Sequence, residues 1–139
     1  MDIIRRNTDY ALGLLVCLAR EGVGELRTAG FLSKNTGTSF QLTSKLMQKL
    51  CKAGIATSVQ GTKGGFQLVK APEDVNVYEV VCTIQGPITV NKCTSELNDC
   101  PNRDSCPMTS KMQFLQGEIV KTLTETTLAD FVEVGGGCL

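Results

Sequence analysis

Residues 60–65 read Gln60-Gly61-Thr62-Lys63-Gly64-Gly65, and this cluster limits the fold more than any other stretch of the 139-residue chain. It joins two short β-prone runs, Ile55 to Val59 and Phe66 to Val69. Glycines packed this densely break helices and supply the backbone angles of a tight hairpin tip. The two runs are therefore expected to pair as one small hairpin carrying a single cation, Lys63, at its end.

Upstream the periodicity is helical. Asn7 or Thr8 can cap a first helix with Ala11, Leu14, Leu15 and Leu18 on one stripe, closed by Gly22 and Gly24. A short second helix is expected after Thr28, carrying Phe31 and Leu32 inward, with a turn at Asn35-Thr36-Gly37. Ser39 caps a third, in which Leu42, Leu46, Leu50 and Ala53 repeat at nearly helical spacing, and Gly54 suits the left-handed residue that ends it. Its other face holds Gln41, Ser44, Lys45, Gln48 and Lys52. Three short helices followed by a hairpin describe a winged helix-turn-helix. The fold class is thus mainly α with a small β-hairpin.

Charge is distributed to match. The formal net charge is zero, yet residues 1–70 carry ten Lys and Arg against four acids, and residues 71–139 carry the opposite excess. No acid occurs from Leu26 through Pro72, where seven basic residues do. A solvated basic surface would account for the charge alone. An acid-free stretch that coincides with a helix-turn-helix favours duplex DNA, with the third helix in the major groove and the hairpin on backbone or minor groove. The base-edge candidates are Ser39, Gln41, Ser44 and Lys45; Lys49, Lys52, Gln60 and Lys63 are placed for the backbone or minor groove.

Pro72 and Glu73-Asp74 mark a boundary between a DNA-binding domain, residues 1–72, and a second unit, residues 73–139. In the latter a helix capped at Asn76 runs through Val77, Val80, Val81 and Ile84 to Gly86-Pro87. From Pro107, Met108, Met112, Leu115, Ile119 and Leu123 form an apolar seam on a long helix. So long a helix in so small a chain needs a partner surface. A second copy is preferred, because helix-turn-helix proteins read pseudo-palindromic operators as two-fold dimers; a core helix of the single chain is the alternative.

Between those helices lie Cys93, Cys100 and Cys106, three of seven cysteines. No run of apolar residues is long enough to span a membrane and the N-terminus lacks a secretory pattern, so a cytoplasmic location is expected. Thiols there stay reduced, and clustered cysteines suggest metal or redox chemistry before structural disulfides. Three thiolates on one polar loop can wrap soft iron or zinc and leave one position for another donor, which is not histidine, since the chain has none. A disulfide with one spare thiol and a structural zinc site are the competing readings; the wide spacing fits zinc poorly. Cys17, Cys51 and Cys82 read as small core residues, and Cys138 in the glycine tail as an incidental thiol.

The chain resembles the Rrf2 family of bacterial regulators, in its iron-sulfur-sensing branch. The resemblance is carried by Thr8-Asp9-Tyr10-Ala11-Leu12, Leu46 through Ile55, Gly61 through Leu68, Ile84-Gln85-Gly86-Pro87 and the cysteine triplet. It implies a homodimer that crosses its long C-terminal helices, and a two-iron or four-iron cluster (2Fe-2S or 4Fe-4S) held by Cys93, Cys100 and Cys106. One group of members adds a histidine just after the third cysteine, where this chain has Pro107, Met108 and Thr109. Nitric-oxide-sensing members add an aspartate near the start of the first helix of the other subunit, a position that Asp9 matches. The same Asp9 also suits an acid favouring the helix dipole. Many members carry an arginine where Gln60 stands.

The resulting expectation is a transcription repressor or activator whose promoter affinity follows oxygen, nitric oxide or iron status through the cluster. A metal-free thiol switch and a cluster scaffold or electron carrier are the alternatives. An enzyme is not expected, since the chain offers no histidine as general base, no carboxylate pair and no phosphate-cradling motif.

Overall fold

The computed structural model describes residues 2–95 and 100–133. Cys138 and the glycine tail lie outside them. Helix α1 (Arg6–Glu21) is followed by α2 (Ala29–Thr36), α3 (Phe40–Lys52), the strands β1 (Ala56–Val59) and β2 (Gly65–Leu68), α4 (Val77–Ile84), α5 (Thr109–Glu125) and α6 (Leu128–Val132). Single 3-10 turns occur at Pro72–Asp74 and Lys92–Thr94.

Local signals in the head act largely as the sequence indicates. Thr28 and Ser39 accept hydrogen bonds from Phe31 N and Leu42 N, and Gly37 and Gly54 take left-handed angles after α2 and α3. The strands pair antiparallel, Ala56 with Leu68 through Val59 with Gly65, each one residue from the expected bounds. Arg27 adds a bridge on the other side of β2: its N donates to Phe66 O at 2.9 Å and its O accepts from Phe66 N at 2.8 Å. Glycine at 65 permits this approach, because a Cβ there would stand 2.5 Å from Arg27 O.

Packing then joins both halves of the chain. Leu14, Leu15 and Leu18 of α1 meet Leu32, Leu46, Leu50, Ile55 and Leu68, and the same core takes Val75, Val80 and Leu128. Each such side chain contributes roughly 1.5–3 kcal/mol when removed from water. On α3 the buried set is Thr43, Leu46, Met47 and Leu50, while Ala53, which follows the helix as its C-cap, is exposed.

Three expectations are corrected. First, α1 begins at Arg6, and neither Asn7 nor Thr8 caps it. Thr8 is fully buried and its hydroxyl donates to Gln85 Oε1 at 2.7 Å, while the same oxygen accepts from Arg5 N at 2.8 Å and Gln85 Nε2 donates to Ile3 O at 2.9 Å. An amide from the end of α4 thus satisfies the start of α1. Second, α5 begins at Thr109, two residues after Pro107. Its seam divides: Ile119 and Leu123 pack on Val77, Val81 and Ile88, while Met108 and Leu115 stay exposed at 52% and 47%. Third, α6 has no counterpart in the sequence reading. Leu128 N donates to Val75 O at 3.0 Å, and Thr126 O accepts from Val77 N at 2.9 Å.

Candidate nucleic-acid interface and cysteine segment

The Ser39 hydroxyl accepts from Leu42 N at 3.2 Å and so fixes the first turn of α3, which leaves its O–H and its second lone pair for any further partner. Gln41, Lys45, Lys49 and Lys52 are exposed along the outer face of that helix, and Ser44 is half-buried on its flank. Gln60 and Lys63 are exposed in the hairpin tip.

Electrostatics sharpens the picture. Of the seven cations between Leu26 and Pro72, Arg27 is held by Glu21 at 2.8 Å and Lys70 by Glu79 at 2.8 Å. Both partners come from outside the acid-free stretch, a pairing that spacing does not reveal. Lys34, Lys45, Lys49, Lys52 and Lys63 form no ion pair among the described residues. They leave uncompensated positive charge on α2, α3 and the hairpin tip, suited to a polyanion.

The cysteines occupy three different settings. Cys93 is buried in the 3-10 turn Lys92–Thr94, which a reciprocal cap closes: Asn91 Oδ1 accepts from Lys92 N at 2.8 Å, and Thr94 Oγ1 accepts from Asn91 N at 3.2 Å. Cys100 and Cys106 are half-buried at either end of a run of turns in which Cys106 N donates to Asn102 O at 2.8 Å. All three thiols are free. Asp9 is exposed in the first turn of α1 and shares a surface cleft with Asp2, Arg6 and Phe131.

Among the described residues of one chain, no three His, Cys, Asp or Glu side chains gather as a metal site. The chemistry of the donors nonetheless fits a soft metal group: three unpaired thiols on one segment, with a carboxylate on a separate element. Cys17 is buried in the core and Cys51 packs against it, where burial raises the thiol pKa and keeps it protonated. Those two are structural, as their helical positions suggest.

Two glutamines brace the stretch between α4 and the cysteine segment. Gln116 of α5 accepts from Val90 N at 2.8 Å and donates to Ile88 O. Gln85, at the other end of the short strap that holds Pro87 and Ile88, locks α1 as described. A glutamine just before a Gly-Pro helix stop is the single hint of the second clamp.

A three-helix head with a hairpin wing, whose recognition helix and wing keep unpaired lysines, defines a winged helix-turn-helix DNA-binding protein. The chain belongs to the Rrf2 family, described as iron-dependent transcriptional regulators, whose model matches residues 4–134. It is 28% identical over 141 residues to an rrf2-like HTH-type transcriptional regulator of Rhodobacter capsulatus, covering 96% of this chain and 94% of that one. It is 27% identical over 126 residues to the HTH-type transcriptional regulator NsrR of Shouchella clausii, covering 90% and 85%. Among solved structures, CymR (YrzC), the global cysteine regulator of B. subtilis, superposes with a TM-score of 0.77 at 20% identity, over 98% of this chain and 100% of the other. The corresponding values for T. potens IscR are 0.73, 21%, 94% and 85%. The protein is therefore a transcription regulator of this family, and not an enzyme. No helix among the described residues is long and apolar enough to cross a membrane.

Proposed function

We propose that this regulator binds a pseudo-palindromic operator as a homodimer, and that an iron-sulfur cluster on Cys93, Cys100 and Cys106 sets its affinity. The carrying observation is the placement of three free thiols on the one segment that joins α4 to α5, next to a helix with no buried residue. Residues 1–72 would read DNA, with α3 in the major groove and the wing on the backbone. Residues 73–139 would supply the cluster loop and the dimer helix.

The outer face of α5 supports the dimer: Met108, Phe114 and Leu115 are 52%, 62% and 47% exposed in the single chain. A second copy would cover them, and would bring a second Asp9 as the fourth donor. When bound, the cluster supplies a centre that reacts with oxygen or nitric oxide and responds to iron supply. The residues of this chain do the rest. Cys93 sits in a capped turn close to the strap, Gln116 fixes that strap to α5, and Gln85 fixes its other end to α1. Order in the cysteine segment thereby bears on the spacing of the two heads.

A metal-free thiol switch is the second reading. It is favoured by the absence of a gathered donor set among the described residues, and by a fold shared with S. aureus CymR, which has been solved in an oxidized form (TM-score 0.73, 21% identity). Anaerobic purification separates the two. Brown protein with stoichiometric iron and acid-labile sulfide, whose operator affinity changes on chelation, supports the cluster. Colourless protein with a reducible crosslink among the three cysteines rejects it in favour of the switch.

A further inference from the structure

Phe40 is the one aromatic side chain of residues 2–70 that stands exposed, at 57%; Tyr10, Phe31 and Phe66 all pack on the core. It is the first residue of α3, directly after the Ser39 cap that fixes the first turn. Helical side chains lean toward the N-terminus of their helix, so the ring overhangs the leading end of the recognition helix. Helix-turn-helix docking pushes that end at base edges.

The surroundings state what kind of partner the ring awaits. Gln41, Lys45 and Lys49 are exposed on the same helix, and no acid occurs between Leu26 and Pro72. A second copy of so cationic a face would repel this one. An anionic surface with isolated apolar spots would fit it, and the major groove is such a surface, its apolar group being the 5-methyl of thymine.

We infer that Phe40 is a specificity-determining residue that packs its ring against a thymine methyl in each half-site. This rests on the reading of α3 as the major-groove helix. Neither capping nor core packing requires an aromatic residue at this position, since the cap is a hydroxyl and the buried set begins at Thr43.

The test starts from duplexes selected out of a randomised pool by the wild-type protein. Each thymine of the selected site is then replaced in turn by uracil, which differs by the methyl alone. Binding is compared for wild type, Phe40→Leu and Phe40→Ala, with circular dichroism confirming that the variants fold. Wild type is expected to lose about fourfold in affinity at one thymine of each half-site, the value of one buried methyl. Phe40→Ala should be indifferent to that replacement, and Phe40→Leu intermediate. Indifference of the wild type to every uracil, with salt-dependent duplex binding intact, overturns the inference and leaves the DNA reading standing. An equal loss in wild type and Phe40→Ala overturns it too, because another side chain then reads the methyl. If the wild-type protein selects no duplex at all, the major-groove reading fails and takes this one with it.

Discussion

Replacement of Gln85 by leucine tests the clamp between α4 and α1. Three hydrogen bonds disappear: from Arg5 N, from the Thr8 hydroxyl and to Ile3 O, at 2.8, 2.7 and 2.9 Å. The Arg5 and Ile3 backbone groups are solvent-accessible, so water takes over and each loss costs about 0.5 kcal/mol, the low end for a net hydrogen bond. Thr8 is fully buried and has no such relief. Stranding its hydroxyl costs a further 1–2 kcal/mol or so, giving roughly 2–3 kcal/mol in all. Urea denaturation at fixed protein concentration reads this as a lower midpoint with an unchanged slope. A double-mutant cycle with Thr8→Val isolates the buried contact: with the hydroxyl already gone, Gln85→Leu should cost about 1–2 kcal/mol less. A loss under about 0.5 kcal/mol, or a cycle with no coupling, would refute the view that this amide closes the start of α1.

Other outcomes are equally specific. Thr43 is fully buried in α3 with an unpartnered hydroxyl, so Thr43→Val should raise stability by about 1 kcal/mol, seen as a melting temperature higher by roughly 3 °C. Phe114→Glu should leave the head folded while weakening the proposed dimer by at least about 100-fold, measured by analytical ultracentrifugation. Lys63→Ala should lower the slope of log affinity against log salt by about 0.9 for each phosphate that goes unneutralised, hence about 1.8 for a dimer with both wings on DNA. Gly65→Ala drives a Cβ to 2.5 Å from Arg27 O and should cost about 1–3 kcal/mol, with faster amide exchange at Phe66.

The head was legible because its signals are local. Thr28, Ser39, Gly37, Gly54 and the glycine tip each act within a few residues, and the structure uses them as the chain order suggests. What escaped depends on contacts far apart in sequence. Thr8 looks like a helix cap until Gln85 arrives from 77 residues away to claim its hydroxyl. Arg27 and Lys70 count toward the basic excess of the acid-free stretch, yet Glu21 and Glu79, just outside it, pair with them. The apolar seam of α5 reads as one stripe, yet α4 takes only its second half. Helix α6 was missed because five residues hold too little periodicity to register, and backbone pairing with Val75 and Val77 secures it instead. The cysteine triplet is plain in the sequence, but among the described residues of one chain no three donor side chains gather.

The grip of Gln116 on the strap has a mechanical consequence. Val90 is fastened two turns into α5, and the segment from Asn91 onward leads back to that helix at Thr109. Both feet of the cysteine segment therefore stand on the same rod. Any tightening of it therefore loads α5 first, and reaches α4 and α1 only through the strap whose ends Gln116 and Gln85 anchor.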